Sequence, residues 1–443
     1  MIHCSAPARR SQLSTLYHAR FTIDDPEPEY EYDPMNPSPS ITFPSNILPD
    51  YLINDSMRQY VNNVVKIQYL LGDKLVLPEM IWEAVSRHAA SKEAVSLLSQ
   101  AYYSRQVNRN SFMLQDETVQ HRVSKLKDML LVAENRFNSD DAMAALHIVS
   151  LYLFDGGQGR WDEFLNFACS YTIRVLEDPR NGGSYPDRLE RVSQKDQFVI
   201  KTTIWFDVLA SVTTMKPPRL LNYIRQLFQP TLNWIPRTYT MLTPMGCENT
   251  VVWALAETSY LAYWKAKSIS QGNLSIRQLV TQVQEIEPYL LPGPRPIEPR
   301  EGPEGWSRFL TSEIFRTSTR LFLKTVESGD HPHVPEIRNC VEDTLAAIVG
   351  FPAPEAGLDY LAASAVIRST VFGFYICGSL TDSEPVLNVL QSRLTQKPAD
   401  EGVGNTTTIS DLLTILWDER RMQMPGHPVR WRRLLRKRQI LLV

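Results

Sequence analysis

The sequence predicts an all-α protein, an irregular array of helices with proline-rich loops, on three observations. Apolar residues recur at i, i+3, i+4, i+7 through most of the chain beyond Asp55. Runs that alternate apolar and polar residues, as half-buried strands do, are rare. Proline concentrates in two breaks, residues 24–50 and 291–304, where it denies the backbone both helix continuity and ladder donors. No fixed-length period runs through the sequence, so a regular solenoid is not expected. At 443 residues and 50.7 kDa, with 43% hydrophobic and 21% charged residues, the chain has the make-up of a globular protein with a large core.

The elements follow in order. Residues 1–50 read as an unstructured leader and a proline- and acid-rich linker. Arg9, Arg10 and Arg20 among acid-free residues faintly suggest a transit peptide, but a plain leader is the preferred reading. From Asp55 or Ser56, a plausible cap, a helix buries Met57, Tyr60, Val61, Val64, Val65 and Tyr69. Pro78 suits the first turn of a second helix carrying Ile81, Ala84 and Val85. A third spans 116–136. Asn138 and Ser139 offer caps, with Asp140 and Asp141 where the helix dipole favours negative charge. The helix they open, Ala142–Phe154 (AMAALHIVSLYLF), is apolar nearly all round and so must be buried on most sides. Asp155-Gly156-Gly157-Gln158-Gly159 ends it, and Trp161 opens the next helix, through Val175. Further helices are expected at 195–214, 218–228, 248–268, 274–290, 305–327, 335–349, 357–378, 384–395, 407–422 and 429–438. The break at 291–304 reads as a surface loop within one helical domain, 51–443.

Several of these blocks resemble, in the same order, the regulatory domain that fungal zinc-cluster transcription factors carry beyond their DNA-binding module. They are Ala144–Trp161 (AALHIVSLYLFDGGQGRW), Trp205–Leu220 (WFDVLASVTTMKPPRL), and Met245-Gly246-Cys247 leading into Val251–Ala266 with Ile286-Glu287. Later come Ile314–Lys324 with Ile337–Ile348, Phe372–Gly378, and Trp417–Arg420 with Val429–Arg432 and the closing Ile440–Val443. The resemblance implies a nuclear transcriptional regulator, with a cytoplasmic location as the alternative. It implies work through contacts with the transcription machinery or a DNA-binding partner, as a homodimer or under a small effector. Such factors begin with six cysteines that bind zinc. Here only Cys4 precedes Cys169, and Cys4 with His3 and His18 cannot supply a cluster. Either an upstream module is missing, and zinc with it, or the protein regulates without reading DNA itself. A formal net charge of −3 agrees that this chain has no global field for nucleic acid. The rival reading is a helical scaffold or dimerisation protein.

No residue pattern points to an enzyme, a cofactor or a metal. The five cysteines are scattered, which fits a reducing compartment, and no apolar run is long enough to span a membrane. Gly156, Gly157 and Gly159 follow a helix rather than a strand, so they mark a helix stop rather than a phosphate loop. Asp140-Asp141 lacks the second carboxylate set of a diphosphate-binding helix, and capping accounts for it. His331 and His333 have no neighbours to complete a coordination shell. His147 reads as a hydrogen-bonded core histidine. Asp207, within an apolar helix, is expected to hold a salt bridge or a cap rather than to catalyse. The basic run Arg430, Arg432, Arg433, Arg436, Lys437 and Arg438 is either a solvated helix face, with Trp431, Leu434 and Leu435 inward, or a nuclear-localisation or phosphate-binding stripe. These two readings are compatible.

Overall fold

A helix with no polar stripe has to be enclosed by others, and one of the two helices round which the structure is built is of that kind. The computed structural model describes residues 55–74, 76–107, 113–133, 137–230, 239–292, 302–350, 360–395, 403–422 and 427–443. All of them lie in one compact unit, Leu48–Val443. The chain enters as α1 (Asp55–Gln59), passes through a π turn (Tyr60–Val64) and continues as α2 (Val65–Gln68). Next come α3 (Val76–Arg87), α4 (Ala89–Val107), α5 (Glu117–Ala133), α6 (Ser139–Phe154) and α7 (Trp161–Glu177). After α8 (Tyr185–Arg191), α9 (Gln194–Thr214), α10 (Leu221–Phe228) and α11 (Leu242–Met245), the chain forms α12 (Asn249–Ser270) and α13 (Ile276–Ile286). Then α14 (Gly302–Ser328), α15 (Pro335–Val349), α16 (Tyr360–Ser369), α17 (Val371–Leu380), α18 (Glu384–Thr395), α19 (Thr406–Arg421) and α20 (Trp431–Arg438) complete it. Among the described residues there is no strand. Among these residues a single bridge of β type joins Gln158 to Ile440.

The first centre is α6, buried from Asp141 to Leu151 and packed against α4, α7 and α9. Asn138 caps it, accepting from the amides of Asp140 and Asp141, while the Asp141 carboxylate accepts from the Asn138 amide. The second centre is α14, which packs against α12, α15, α16 and α17. Its interior face carries Ser307, Thr311, Ser312, Ser318 and Thr319, small enough to let neighbouring backbones close in. Gly373 of α17 uses that space. A Cβ there would stand 2.6 Å from Ile314 Cγ2.

Besides the short α11, which was not expected, the structure departs from expectation in three places. Helix α4, a principal partner of α6, was not read from the sequence; its buried face alternates Ala90, Ser91, Ala94 and Ser99 with Val95, Leu97 and Leu98, so serines dilute the apolar stripe. The short α8 was missed too, although Ser184 and Asp187 form a capping box at its start. The single helix expected over 357–378 is two, α16 and α17, bent by 66°. The break falls at Thr370, which leaves helical geometry while its hydroxyl donates to the Val366 carbonyl at 2.7 Å. The helix expected to start at Asp55 or Ser56 begins at Asp55; the leader and linker 1–50 and most of the loop 291–304 lie outside the described residues. No single described helix is long and apolar enough to cross a membrane.

The turn after α6 joins the two ends of this unit. Gly156, Gly157 and Gly159 have φ of +99°, +81° and +124°, values that L side chains rarely adopt. The chain thereby doubles back and offers backbone groups to the tail Gln439–Leu442, which is buried from Ile440 on. The Leu441 amide donates to the Gly157 carbonyl at 2.9 Å, and Gly159 N–H donates to the Gln439 carbonyl at 3.3 Å. Trp161 Nε1–H donates to the same Gln439 carbonyl at 2.8 Å, and the Thr213 hydroxyl donates to the Ile440 carbonyl. Asn405 Nδ2–H donates to the Leu441 carbonyl at 2.8 Å. On its other side the Asp155 carboxylate accepts from the amides of Met113 and Leu114, at 2.9 and 3.0 Å.

Asp155→Ala leaves two amides without their acceptor and should lower unfolding stability by about 1–3 kcal/mol. Gly157→Ala places a Cβ 3.1 Å from the Leu441 carbonyl oxygen at a positive φ, and should cost about 1–3 kcal/mol. Urea unfolding followed by circular dichroism measures both; near-zero changes would remove the turn from its proposed place in the fold.

Candidate functional site

A cavity of about 80 Å³ lies where α2, α6, α9, α11, α16 and the start of α19 converge. Leu71, Leu153, Phe154, Trp205, Phe206 and Met245 make its wall apolar. Gln68 organises the polar side. Its amide donates to the hydroxyls of Tyr69 and Ser150 at 3.0 and 2.8 Å, and its carbonyl accepts from Tyr60 at 2.5 Å. The π turn rotates the helix so that both Tyr60 and Gln68 face α6. Tyr60 then meets His147 Nε2 at 2.9 Å. Since the single Tyr60 proton goes to Gln68, His147 carries its proton on Nε2 and donates it, leaving Nδ1 a bare acceptor with no partner. Full burial pushes the His147 pKa down to about 3, and burial holds the Tyr69 hydroxyl protonated. Arg368, Asn405 and Thr406 complete the wall from the far half of the chain.

The residues singled out in the sequence do not converge on a reaction centre. Asp140 pairs with Lys195 at 2.8 Å and Asp141 with His88 at 3.1 Å, so the aspartate pair caps α6 and ties it to its neighbours. Asp207 accepts from the Leu220 amide at 2.8 Å and faces Arg219 at 3.7 Å, closing the turn before α10. Burial pushes its pKa up to about 6, against the pull of those backbone donors. His331 and His333 lie ring to ring at 5.6 Å. Among the described residues no group of three or more His, Cys, Asp or Glu is placed to hold a metal ion. Cys169, Cys247, Cys340 and Cys377 are buried free thiols.

The basic run divides. Arg430, Arg433, Arg436, Lys437 and Arg438 are exposed and form no ion pair among the described residues. Arg430, Arg433 and Lys437 line a groove of about 570 Å³ with His427, Arg420 and Glu419. Arg432 turns the other way. Its guanidinium lies over Phe322 at 5.1 Å and Trp431 at 5.6 Å, beside the buried carboxylate of Asp330. The inward reading of Trp431, Leu434 and Leu435 therefore extends to this arginine. Arg420 is also committed, donating to the Ser379 and Thr381 carbonyls at 3.1 and 2.7 Å at the end of α17.

Gln68 and Arg368, which matter most to the cavity, were not identified from the sequence. Gln68 falls beside Val64 and Val65 on an apolar face, a faint sign of a buried polar residue. Nothing near Arg368 marks it, because its neighbours across the cavity come from residues 67–71, 150–154 and 404–406.

Comparison with known proteins agrees with this architecture. Residues 57–443 match the family described as the fungal specific transcription factor domain. The ustiloxin B cluster transcription factor of Aspergillus flavus is 29% identical over 219 residues, 47% of this chain and 34% of that protein. A trichothecene biosynthesis transcription regulator of Trichoderma arundinaceum is 30% identical over 108 residues, 24% of each chain. The matched stretch thus spans about a third and a quarter of these relatives' lengths. No solved structure matches the chain.

His147 binds a proton more weakly folded than unfolded, so its contribution to stability is present above pH 6.5 and lost as the pH falls toward 3. His147→Gln keeps a hydrogen-bonding group near Tyr60 but cannot titrate. Its stability should decline less than wild type between pH 6.5 and 4, by up to about 1.4 kcal/mol per pH unit. Asp207 has the opposite sign: its raised pKa makes it destabilising as pH rises from about 4 to 6, and Asp207→Asn should remove that slope. Equilibrium unfolding of the three proteins across this range checks both signs; slopes parallel to wild type would refute the assignments.

Proposed function

We propose that this chain, which belongs to the fungal specific transcription factor domain family, regulates transcription through protein contacts made by its helical domain. The observation that carries the reading is the family match, which covers residues 57–443 and so nearly the whole unit Leu48–Val443. The relatives' names, a transcription factor and a transcription regulator, support it. The buried titratable groups support a non-enzymatic role, since Asp207 closes a turn and His147 binds a tyrosine. The domain acts in the nucleus, needs no cofactor of its own, and leaves DNA reading to another segment or partner. The exposed cations Arg430, Arg433, Arg436, Lys437 and Arg438 serve nuclear import, being charged side chains that form no ion pair among the described residues. A ligand or partner that binds one arrangement of the helices more tightly than another shifts the regulator between active and silent states.

Tethered to a foreign DNA-binding domain, the chain should change reporter output several-fold in at least one growth condition. Unchanged output in all conditions, with cytoplasmic retention while nuclear export is blocked, would favour a scaffold instead. Replacing Arg433, Arg436, Lys437 and Arg438 by Ala should reduce nuclear accumulation of the folded protein. Arg432→Ala should instead lower stability, because it removes the cation beside Asp330 and the guanidinium packed on Phe322 and Trp431. Unimpaired import of the quadruple variant would dismiss the import role.

A further inference from the structure

We propose that the groove between the end of α19 and α20 binds an extended acidic segment of a partner protein, one that alternates carboxylates with bulky apolar side chains. The inference rests on the reading of a regulator that works through protein contacts, and gives those contacts one place and one chemistry.

Two helices of unlike character make the walls. Helix α20 turns Trp431, Leu434 and Leu435 inward, which leaves Arg430, Arg433 and Lys437 along the groove at spacings of three and four residues. Opposite them, α19 contributes Leu416, Glu419 and Arg420. Arg420 is fixed by the Ser379 and Thr381 carbonyls and lies over Trp417 at 4.8 Å, so this wall is firm. Leu416, Val429 and Leu434, each at most 8% exposed, give the lining an apolar part.

The fold gains nothing locally from these cations. Arg430 and Arg433 stand at the N-terminal end of α20, where the helix dipole disfavours positive charge and no acid accompanies them. Arg430 with Arg433, and Arg433 with Lys437, are like-charged neighbours that repel each other. Arg421 nearby, by contrast, pairs with Glu384 and Asp418 at 3.0 and 3.4 Å. Within the described lining Glu419 is the single carboxylate, outnumbered by Arg420, Arg430, Arg433 and Lys437. An anion in the groove relieves this repulsion.

Shape selects the kind of anion. The volume of about 570 Å³ lies within the ~300–1,000 Å³ of ligand clefts, and a free phosphate leaves most of it unfilled. Nucleic acid brings a charged backbone with no apolar group for Leu416 and Leu434, and a net charge of −3 repels it at longer range. An extended peptide fits better. Its alternate side chains face one way at ~6.6 Å intervals, close to the ~6 Å that separates residues 433 and 437 along the α20 axis. Two carboxylates thus reach Arg433 and Lys437 together, and the apolar residue between them turns to the α19 wall at Leu416. Arginine takes a carboxylate through two parallel hydrogen bonds, which fixes the register of the segment. Arg436 and Arg438 lie outside the lining and remain for import.

Fluorescence anisotropy of the full chain with a labelled heptapeptide alternating Asp and Leu tests this, against peptides alternating Asn with Leu and Asp with Ser. The Asp–Leu peptide should bind at one site, at least about tenfold more tightly than either control. Arg433→Glu with Lys437→Glu should lower that affinity at least about tenfold, and Glu419→Gln should raise it about two- to threefold. Arg436→Glu with Arg438→Glu changes the net charge equally outside the lining, and should stay within about twofold of wild type. Circular dichroism checks that these exposed substitutions leave the helices intact. Equal binding of the Asn–Leu peptide, equal losses in the two double variants, or no binding at millimolar Asp–Leu peptide would overturn the proposal. So would a short DNA duplex that binds more tightly than the peptide and depends on Arg433 and Lys437, which would make the groove a nucleic-acid site. The tethered reporter separates the two claims. Regulation without peptide binding defeats the groove assignment alone, whereas peptide binding in a chain with no reporter activity upholds the groove and defeats the regulator.

Discussion

Three backbone carbonyls of the tail, those of Gln439, Ile440 and Leu441, accept hydrogen bonds from side-chain donors that lie far away in sequence. Trp161 Nε1 reaches Gln439 across 278 residues, and Thr213 reaches Ile440 across 227. Ile440, Leu441 and Leu442 are fully buried yet outside any helix, so each of their polar groups needs a partner or costs the fold a desolvated dipole. The glycine turn after α6 supplies two partners for the tail, the Gly157 carbonyl for the Leu441 amide and the Gly159 amide for the Gln439 carbonyl. Its positive φ values turn carbonyls and amides outward from the helix end, where a side chain would obstruct them. Because Asp155 simultaneously fixes the Met113–Leu114 segment, one turn couples the start, the middle and the end of the described unit.

This constraint also shapes the cavity. Phe154, the last residue of α6, presents its side chain to the space and its carbonyl to Gly404. Asn405 belongs to both structures, contacting the tail through Leu441 and the cavity through its place before α19. The tyrosine–glutamine–serine network on the opposite wall depends on the π turn, since a regular helix would move Tyr60 and Gln68 out of step with α6. Buried polar networks of this kind hold one arrangement of helices because every alternative leaves a donor unpaired. An element that the family reading makes regulatory therefore sits where small shifts have the largest hydrogen-bonding consequence.

Much of the helical pattern was legible because burial on one or all faces leaves a periodic or continuous apolar trace. Ala142–Phe154 is the clearest case, and its capping residues Asn138 and Asp141 stand beside it in the sequence. Asp207 was recognised as a buried carboxylate in need of a partner, which proved to be the turn at Arg219–Leu220. Helix α4 was not legible, since close packing on α6 selects alanine and serine as readily as leucine. The basic run illustrates the same limit: Arg432 looks like its neighbours in composition and differs only in which way the helix faces.

What the sequence by itself determined is local: helix content, the stop at Asp155–Gly159, the capping of α6 and the ordered blocks that mark the family. These depend on backbone preference and spacing within a few turns, which the residue order contains directly. The tertiary structure alone decided that the glycine turn clasps the tail, that Thr370 breaks a helix and that Gln68, Arg368 and Thr406 share one cavity. Those outcomes rest on hydrogen bonds and contacts between residues up to several hundred positions apart, and no local pattern encodes which distant carbonyl a donor will meet.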